Sequence, residues 1–229
     1  MKKILFTCLV PFLALAILGN GCCSHCSSKG SKTVELFDGK SLDGWSHVLA
    51  DASVKKEDVW SVKDGIITCK GTPLGAIYRG PEVKNFRLVV EYRWAPGEKP
   101  GNSGIFSRIH DPIKPLPPCV EVQLQHGNAG DVLGLQGTRV VGGQPRFFEV
   151  KNHAVAGDIA GVKKMENAEK AAGEWNRVEI TANVDVYRVV MNGKLINDVP
   201  GVAQHVGPIG LQSEGGVIQF RRVSLTPMD

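Results

Sequence analysis

Short runs of alternating apolar and polar residues, separated by tight-turn dipeptides, are the feature that most restricts how this chain folds. Asp64-Gly65 and Asn192-Gly193 each separate two such runs, and these dipeptides favour hairpins because Gly accepts positive φ. The longest run, residues 85–94, puts four large apolar side chains on one face of a strand. Residues 162–172 show a weak helical periodicity that predicts a loop or a single turn. We therefore predict an all-β sandwich of many short strands.

The length and the charge of the chain limit its number of domains and its possible partners. Of its 229 residues, the segment 33–229 is predicted to form one domain, since β-sandwiches of that size are common as single units. The formal net charge of +4 is spread along the chain. No cluster of basic residues interleaves with aromatics, so nucleic acid is not an expected partner.

The N-terminus resembles a bacterial export signal. A charged start is followed by an apolar stretch, residues 4–18, which is too short for a comfortable membrane span. We predict that residues 1–21 are a signal peptide, that Cys22 is lipidated, and that residues 22–32 are a polar tether. The lipoprotein pattern is imperfect, because Gly19 stands where it prefers an aliphatic residue, and an ordinary secretory signal is the alternative. Both interpretations predict export to the periplasm or cell envelope, and lipidation would anchor the protein to the bacterial membrane.

Two cysteines, Cys69 and Cys119, lie in the predicted domain. An oxidising compartment permits a disulfide between them, but the sequence does not give the distance between them, so a bonded pair and two free thiols both remain open. Cys22, Cys23 and Cys26 lack a second pair of metal ligands at a suitable spacing.

Two neighbouring segments, residues 102–108 and 121–126, combine strand alternation with a polar edge. In the second, Glu121, Gln123 and Gln125 share one face of the strand. A row of carboxylate and amide groups costs desolvation energy unless that face is wet or hydrogen-bonded. We therefore predict a sugar-binding surface there.

The sequence resembles the 3-keto-disaccharide hydrolase domain family over nearly the whole predicted domain. The resemblance is carried, in order, by residues 36–45, Trp60 to Gly65, Asn102-Ser103-Gly104-Ile105 with Arg108, Glu121-Val122-Gln123, Gly173-Glu174-Trp175-Asn176, Asn192-Gly193, Gly207 to Gly215 and Phe220-Arg221. It implies a concanavalin A-like jelly-roll β-sandwich. It also implies an enzyme acting on an oxidised sugar: a 3-keto-α-glucoside 1,2-lyase with 3-keto-2-hydroxy-glucal hydratase activity, or net hydrolysis.

That chemistry, in which a C3 ketone makes the C2 proton acidic, suggests roles for three residues. Glu121 is the candidate base or acid, and Arg108 is the candidate for stabilising the enolate or clamping the keto sugar. His126 is a second acid/base candidate or a metal ligand; many family members carry an acidic residue at its position. The sugar-binding candidates are Asn102, Ser103, Gln123 and Gln212.

Structural alternatives exist for each of these residues. Glu121 and Arg108 could form an ion pair between strands, and Trp94 or Trp175 could stack on a sugar or belong to the core. His47, His153 and His205 show no partner in the sequence, which favours surface or core positions. A divalent metal would need several of Glu121, His126, Asp131 and His110 to converge, so the cofactor stays unknown.

A different class of function is also compatible with this sequence. A β-sandwich on a lipid tether could be a noncatalytic glycan-binding module, since fold does not determine function. The combination of Arg108, Glu121 and His126 favours an enzyme, because a simple glycan binder needs no base.

Overall fold

The computed structural model describes residues 31–229, which form two antiparallel eight-stranded sheets. The fold is a jelly-roll β-sandwich, as predicted. In chain order the elements are β1 (Val34–Glu35), β2 (Ser46–Leu49), α1 (Lys56–Val59), β3 (Trp60–Lys63), β4 (Ile66–Cys69), β5 (Gly75–Val83), β6 (Asn85–Trp94), β7 (Gly104–Ser107), β8 (Cys119–Gln123), β9 (Val132–Leu135), β10 (Phe147–His153), β11 (Gly157–Val162), β12 (Asn176–Asn183), β13 (Val186–Met191), β14 (Lys194–Val199), β15 (Gly207–Ser213) and β16 (Ile218–Met228).

The first sheet has the strand order β14-β13-β12-β6-β16-β4-β3, and β1 pairs with β16. Its centre is β6, the longest alternating run of the sequence. The side chains of Leu88, Val90, Tyr92 and Trp94 all point to the interior and are almost wholly buried. Each contributes roughly 1.5–3 kcal/mol by leaving water. The Trp94 ring thus belongs to the core.

The second sheet has the order β10-β11-β9-β8-β7-β15-β5-β2. Its inner face packs on the first sheet, but its outer face carries a second apolar cluster. This outer cluster consists of Ala76, Phe106, Ile109, Leu116, Cys119, Leu133, Leu135 and Ala156. Loop 109–118 and the turn between β10 and β11 supply Ile109, Leu116 and Ala156, so they cover part of the outer face. The strands β7 and β9 are consequently buried at every position.

The segment 162–172 forms no helix beyond the end of β11, in agreement with the loop prediction. Within residues 31–229, the helix present is the single turn α1, which the sequence analysis did not anticipate. No helix of this part of the chain is long and apolar enough to cross a membrane.

The two cysteines of the domain are free and buried. Cys69 belongs to the core between the sheets, whereas Cys119 belongs to the outer cluster. Because Cys69 lies in β4 of the first sheet and points to the core, whereas Cys119 lies on the outer face of the second sheet, the possible disulfide is not formed. The predicted signal peptide, the lipidation at Cys22 and nearly all of the tether lie outside the described residues.

Candidate active site

Glu121 occupies the middle of β8 in the second sheet, opposite Phe106 of β7. Its side chain points to the outer face and is 2% exposed. A Cβ atom on Gly104 would overlap its Oε1 atom. The glycine therefore leaves the space in which the Glu121 carboxyl group lies across β7.

Beyond Gly104, β15 contributes Gln212, and Glu214 follows the end of that strand. The Gln212 amide donates from Nε2 to Glu214 Oε2 at 2.7 Å, and the Asn102 amide donates from Nδ2 to the same oxygen at 2.7 Å. Oε1 of Glu214 has no hydrogen bond to any other described residue. We call Glu121, Glu214, Asn102 and Gln212 the carboxyl cluster.

The pKa values of both carboxyl groups of this cluster are raised. Burial, and secondarily the charge of Glu214, raise the pKa of Glu121 well above its usual value. Burial also raises the pKa of Glu214, opposed by the hydrogen bond from Gln212 and by the charge of His153. Two neighbouring carboxyls resist double ionisation, and the more buried one keeps its proton. Of the two, Glu214, held by two amide donors, therefore ionises first as the pH rises, and Glu121 keeps its proton to a higher pH.

Three buried polar atoms of the carboxyl cluster have no hydrogen-bond partner in the described part of the chain: Glu121 Oε1, Asn102 Oδ1 and Gln212 Oε1. An unpaired buried polar group costs about 1–3 kcal/mol, and such groups are few in folded proteins. Two of them, Glu121 Oε1 and Gln212 Oε1, lie beside the open space over Gly104, and unpaired acceptors of this kind suit a ligand with several hydroxyl groups.

The other two predicted sugar-binding residues, Ser103 and Gln123, bind the protein backbone next to the carboxyl cluster. Ser103 is buried and donates from Oγ to the Gln212 carbonyl at 2.8 Å, which fixes β15 against β7. Gln123 accepts at Oε1 from the backbone N–H groups of Leu124 and Gln125, both at 3.1 Å. Ser103 therefore holds the strand that carries Gln212, whereas Gln123 stabilises the backbone just after the strand that carries Glu121.

Arg108 is not brought to the carboxyl cluster. Its backbone adopts a left-handed φ of 52°, and its side chain is fully buried. The guanidinium donates to the carbonyls of Lys84 at 3.0 Å, Val184 at 2.8 Å and Ala203 at 2.6 Å. These contacts join three connecting segments, so the structure shows a positioning role for Arg108 and neither the enolate contact nor the ion pair with Glu121.

His126 also faces away from Glu121. Its Nδ1 atom lies 3.2 Å from Oε2 of Glu169. That buried carboxylate also accepts from Tyr92 Oη and Trp94 Nε1, each at 3.2 Å, and from the Gly127 backbone N–H at 2.8 Å. Tyr92 and Trp94 belong to the core between the two sheets. His126 therefore contacts a carboxylate that is bound to this core, while its own side chain stays partly exposed.

Glu214 was missed by the sequence analysis, although a signal for it exists. Strand alternation places Gln212 and Glu214 on the same face of an extended segment, as it does for Glu121 and Gln123. Trp175 was the other residue proposed to stack on a sugar. The guanidinium carbons of Arg93 and Arg221 lie 4.5 and 4.4 Å from the centre of its ring. It therefore lies on the first sheet, away from the carboxyl cluster.

A separate pocket of about 280 Å³ opens beside β3 and is lined by Asp43, Lys56 and Trp60 among others. In this pocket the ammonium group of Lys56 donates to the carbonyls of Leu42 and Trp45. The carboxyl cluster is the better candidate for acid–base chemistry, because its Glu121 carboxyl is buried and a second carboxyl group raises its pKa further. Within residues 31–229, no three His, Cys, Asp or Glu side chains are grouped as metal ligands.

Comparison with known proteins agrees with the motif order of the sequence. Residues 32–226 match the model of the 3-keto-alpha-glucoside-1,2-lyase-like domain. The chain belongs to this family. Membership supports a carbohydrate-active protein. A search of curated proteins found no significant match.

Solved structures of similar fold include three with low sequence identity. A candidate glycosyl hydrolase from Parabacteroides distasonis is 18% identical with a TM-score of 0.61, covering 86% of this chain and 94% of its own. The carbohydrate-binding module CBM66 from Bacillus subtilis is 11% identical with a TM-score of 0.58, and the match covers 80% of this chain and 95% of the module. A Bacillus licheniformis β-glucanase is 12% identical with a TM-score of 0.57, and the match covers 88% of this chain and 100% of the glucanase. At these identities they show the fold alone.

Replacing Arg108 with Lys should destabilise the protein, because one ammonium group cannot reach all three carbonyls. We expect the free energy of unfolding to fall by about 2–4 kcal/mol, from the lost hydrogen bonds and the carbonyls left unpaired. Urea denaturation measures this. Arg188→Lys is the control, since Arg188 is half exposed and pairs with Asp198 at the surface, and it should cost less than about 1 kcal/mol. Equal losses in the two variants would contradict the positioning role.

The ring of His205 stacks on that of His110, with centroids 3.6 Å apart. Burial, followed by the charges of His110 and Arg108, lowers the pKa of His205 below 6.5. The unfolded chain therefore binds more protons than the folded one just below pH 6.5, and stability falls as the pH decreases through this range. We expect His205→Asn to reduce the slope of unfolding free energy between about pH 5 and 7. A slope identical to that of the unmodified protein would contradict this account.

Proposed function

We propose that this protein is a carbohydrate-active enzyme that cleaves 3-keto-glycosides by C2 proton abstraction, elimination and hydration. The observation that carries the proposal is the carboxyl cluster, in which the buried Glu121 carboxyl lies near Glu214 among amide oxygens that have no partner in the described chain. Family membership supplies the substrate class. The cluster supplies the acid–base pair that this chemistry needs.

Glu214 is the base in this proposal. Its Oε2 atom is held by the amides of Asn102 and Gln212, which leaves Oε1 for the C2 proton of the sugar. The raised pKa of the carboxyl makes it a stronger base than a solvated glutamate and keeps it ionised only above that pKa. Proton removal moves the electron pair of the C2–H bond into an enolate across C2 and C3.

Glu121 is the donor that stabilises this enolate. A carboxylic acid kept neutral by an apolar site donates a hydrogen bond to a developing oxyanion, as known for other enolising enzymes. Burial in the outer cluster raises the pKa of Glu121, and this supplies the same condition here. The O3 oxygen of the keto sugar would therefore lie against the Glu121 carboxyl, where water is excluded and the donor acts most strongly.

The amide groups give the site its preference for a sugar. Asn102 Oδ1 and Gln212 Oε1 are buried acceptors without protein partners in the described chain, and sugar hydroxyls supply the donors that they lack. A noncatalytic glycan binder would gain nothing from a buried neutral carboxyl next to a charged one, because that pair costs desolvation energy. The carboxyl pair thus favours the enzyme over the binding module.

The location of the protein is a further part of the proposal. We propose that it is exported to the periplasm or cell envelope and carries a lipid at Cys22, on the basis of the charged and apolar N-terminal sequence. Mass spectrometry of the membrane fraction from a producing bacterium would detect the diacylglycerol adduct. A mature N-terminus at another residue would contradict lipidation.

The roles of the two glutamates predict different kinetic effects with 3-keto-trehalose as substrate. Glu214→Gln removes the base and should lower kcat by about 10²–10⁴-fold. Glu121→Ala removes the oxyanion donor and should cost about 10²–10³-fold, whereas Glu121→Gln keeps an N–H donor and should cost less. Full activity of Glu214→Gln would contradict its role as base.

The pH profile separates these roles further. In the unmodified enzyme kcat/KM should rise with pH as Glu214 loses its proton, and fall at higher pH as Glu121 loses its own. Glu121→Gln has no proton to lose, so the alkaline decrease should disappear. Glu179→Gln, in which an exposed residue of the first sheet changes, is the control and should keep both limbs. An unchanged alkaline limb in Glu121→Gln would assign that limb to another group.

The space at Gly104 gives an independent test that leaves both carboxyl groups in the chain. Gly104→Ala should displace the Glu121 carboxyl, because the new Cβ atom would overlap its Oε1. We expect about a 100-fold loss in kcat/KM, as for other misplaced catalytic groups. Gly143→Ala is the control, since nothing lies within 4 Å of a Cβ atom there. Equal activity of the two variants would show that the position of the Glu121 carboxyl does not matter.

A further inference from the structure

Phe148 lies on the outer face of the second sheet, in the same row of paired residues as Glu121. Glu121 of β8 is opposite Leu133 of β9. Leu133 is in turn opposite Gly161 of β11, and Gly161 is opposite Phe148 of β10. Residues that are directly paired in a sheet point to the same face, and Phe148 packs against the outer cluster, to which Leu133 belongs. The strand pairing therefore places the Phe148 ring on the face that carries the Glu121 carboxyl.

The missing side chain of Gly161 lets the Phe148 ring fold back over β11 towards Glu121. A Cβ atom on Gly161 would overlap both the end of the Phe148 ring and Cδ2 of Leu133. The end of the ring is consequently two strand spacings, or roughly 10 Å, from the backbone of Glu121. The ring is also partly exposed. This separation leaves room for one sugar ring at the carboxyl cluster before a second ring reaches Phe148.

Polar groups suited to sugar hydroxyls border this ring. The Lys163 ammonium lies 5.9 Å from the centre of the Phe148 ring, and Lys163 and Asp131 line a pocket of about 400 Å³. Asp131 is adjacent to β8, because its carbonyl accepts from the Gln123 backbone N–H at 2.9 Å. Its Oδ1 atom accepts from the Lys164 backbone N–H at 2.8 Å, and its Oδ2 atom has no hydrogen bond to any other described residue. A charged donor and an acceptor therefore lie beside a partly exposed aromatic ring.

We propose that Phe148 is the floor of a second binding site on this face, and that this site holds the aglycone of the 3-keto-glycoside as a sugar ring. The inference rests on the proposed function, in which the carboxyl cluster holds the oxidised ring. A pyranose has an apolar C–H face, which an aromatic ring removes from water, and hydroxyl groups at its edge, which lysine and carboxylate groups bind. Phe148 thus supplies the stacking surface that Trp94 and Trp175 do not, since the first lies in the core and the second on the first sheet.

This assignment makes Phe148 a specificity-determining residue. Binding energy from a part of the substrate that does not react contributes to kcat/KM, so a sugar aglycone gains from Phe148 and a methyl aglycone does not. The test compares 3-keto-trehalose with methyl 3-keto-α-glucoside as substrates of the full-length protein. Phe148→Leu keeps an apolar side chain against the outer cluster but removes the flat ring. We expect the ratio of kcat/KM for 3-keto-trehalose to that for the methyl glycoside to fall by about 10-fold.

The ratio is the decisive quantity, because it does not depend on the fraction of variant protein that is folded. Phe148→Tyr restores an aromatic ring and should change the ratio by less than about 3-fold. Phe147→Leu is the matched control, because Phe147 precedes Phe148 in β10 and packs against the core between the sheets. It should keep the ratio of the unmodified enzyme.

Two results would overturn this site while leaving the proposed function standing. One is an unchanged ratio in Phe148→Leu, and the other is an equal decrease in Phe148→Leu and Phe148→Tyr, which would show that the aromatic ring is not what binds the aglycone. Absence of turnover of both substrates by the unmodified enzyme would overturn the proposed function, and this inference with it.

Discussion

The burial of the middle strands of the second sheet on both faces is the constraint on which the site depends. A sandwich needs an apolar inner face, but here the outer face of β7, β8 and β9 is apolar as well. Glu121 lies in this outer layer, where the low dielectric disfavours its charge. A glutamate of the same sequence on a wet outer face would be an ordinary ionised side chain, without the proton that the proposed mechanism uses.

The carboxyl cluster is assembled from strands that are distant in sequence and adjacent in the sheet. β7 lies between β8 and β15, so Gly104 separates the strand of Glu121 from that of Gln212. A side chain at position 104 would divide the two carboxyl groups, whereas the glycine lets Glu121 extend across the strand. Close coupling between the acid and the base thus follows from one missing Cβ atom in the strand between them.

Other buried polar residues, Arg108 within the family motifs and Glu169 outside them, hold the sandwich in the form that this site requires. Arg108 joins three connecting segments through their carbonyls, and Glu169 accepts hydrogen bonds from two core aromatic residues at another part of the interior. Both are charged groups satisfied by several partners, which is the condition for burying charge without a large loss of stability. Motif membership therefore identifies residues needed for the fold as well as residues suited to chemistry.

The sequence by itself determined the fold class, the turns and the polar face of β8, because alternation and turn chemistry are local properties. Strand β6 follows from its alternation of apolar and polar residues, and the hairpin between β13 and β14 follows from its Asn192-Gly193 turn. The tertiary structure alone decided which charged residues meet. Arg108 directly follows β7 and Glu121 lies on the neighbouring strand β8, yet the backbone at Arg108 is left-handed and its side chain binds the connecting segments instead. Glu214 reaches the cluster because β15 lies beside β7, and the pairing of strands that are distant in sequence is not written in any local sequence pattern.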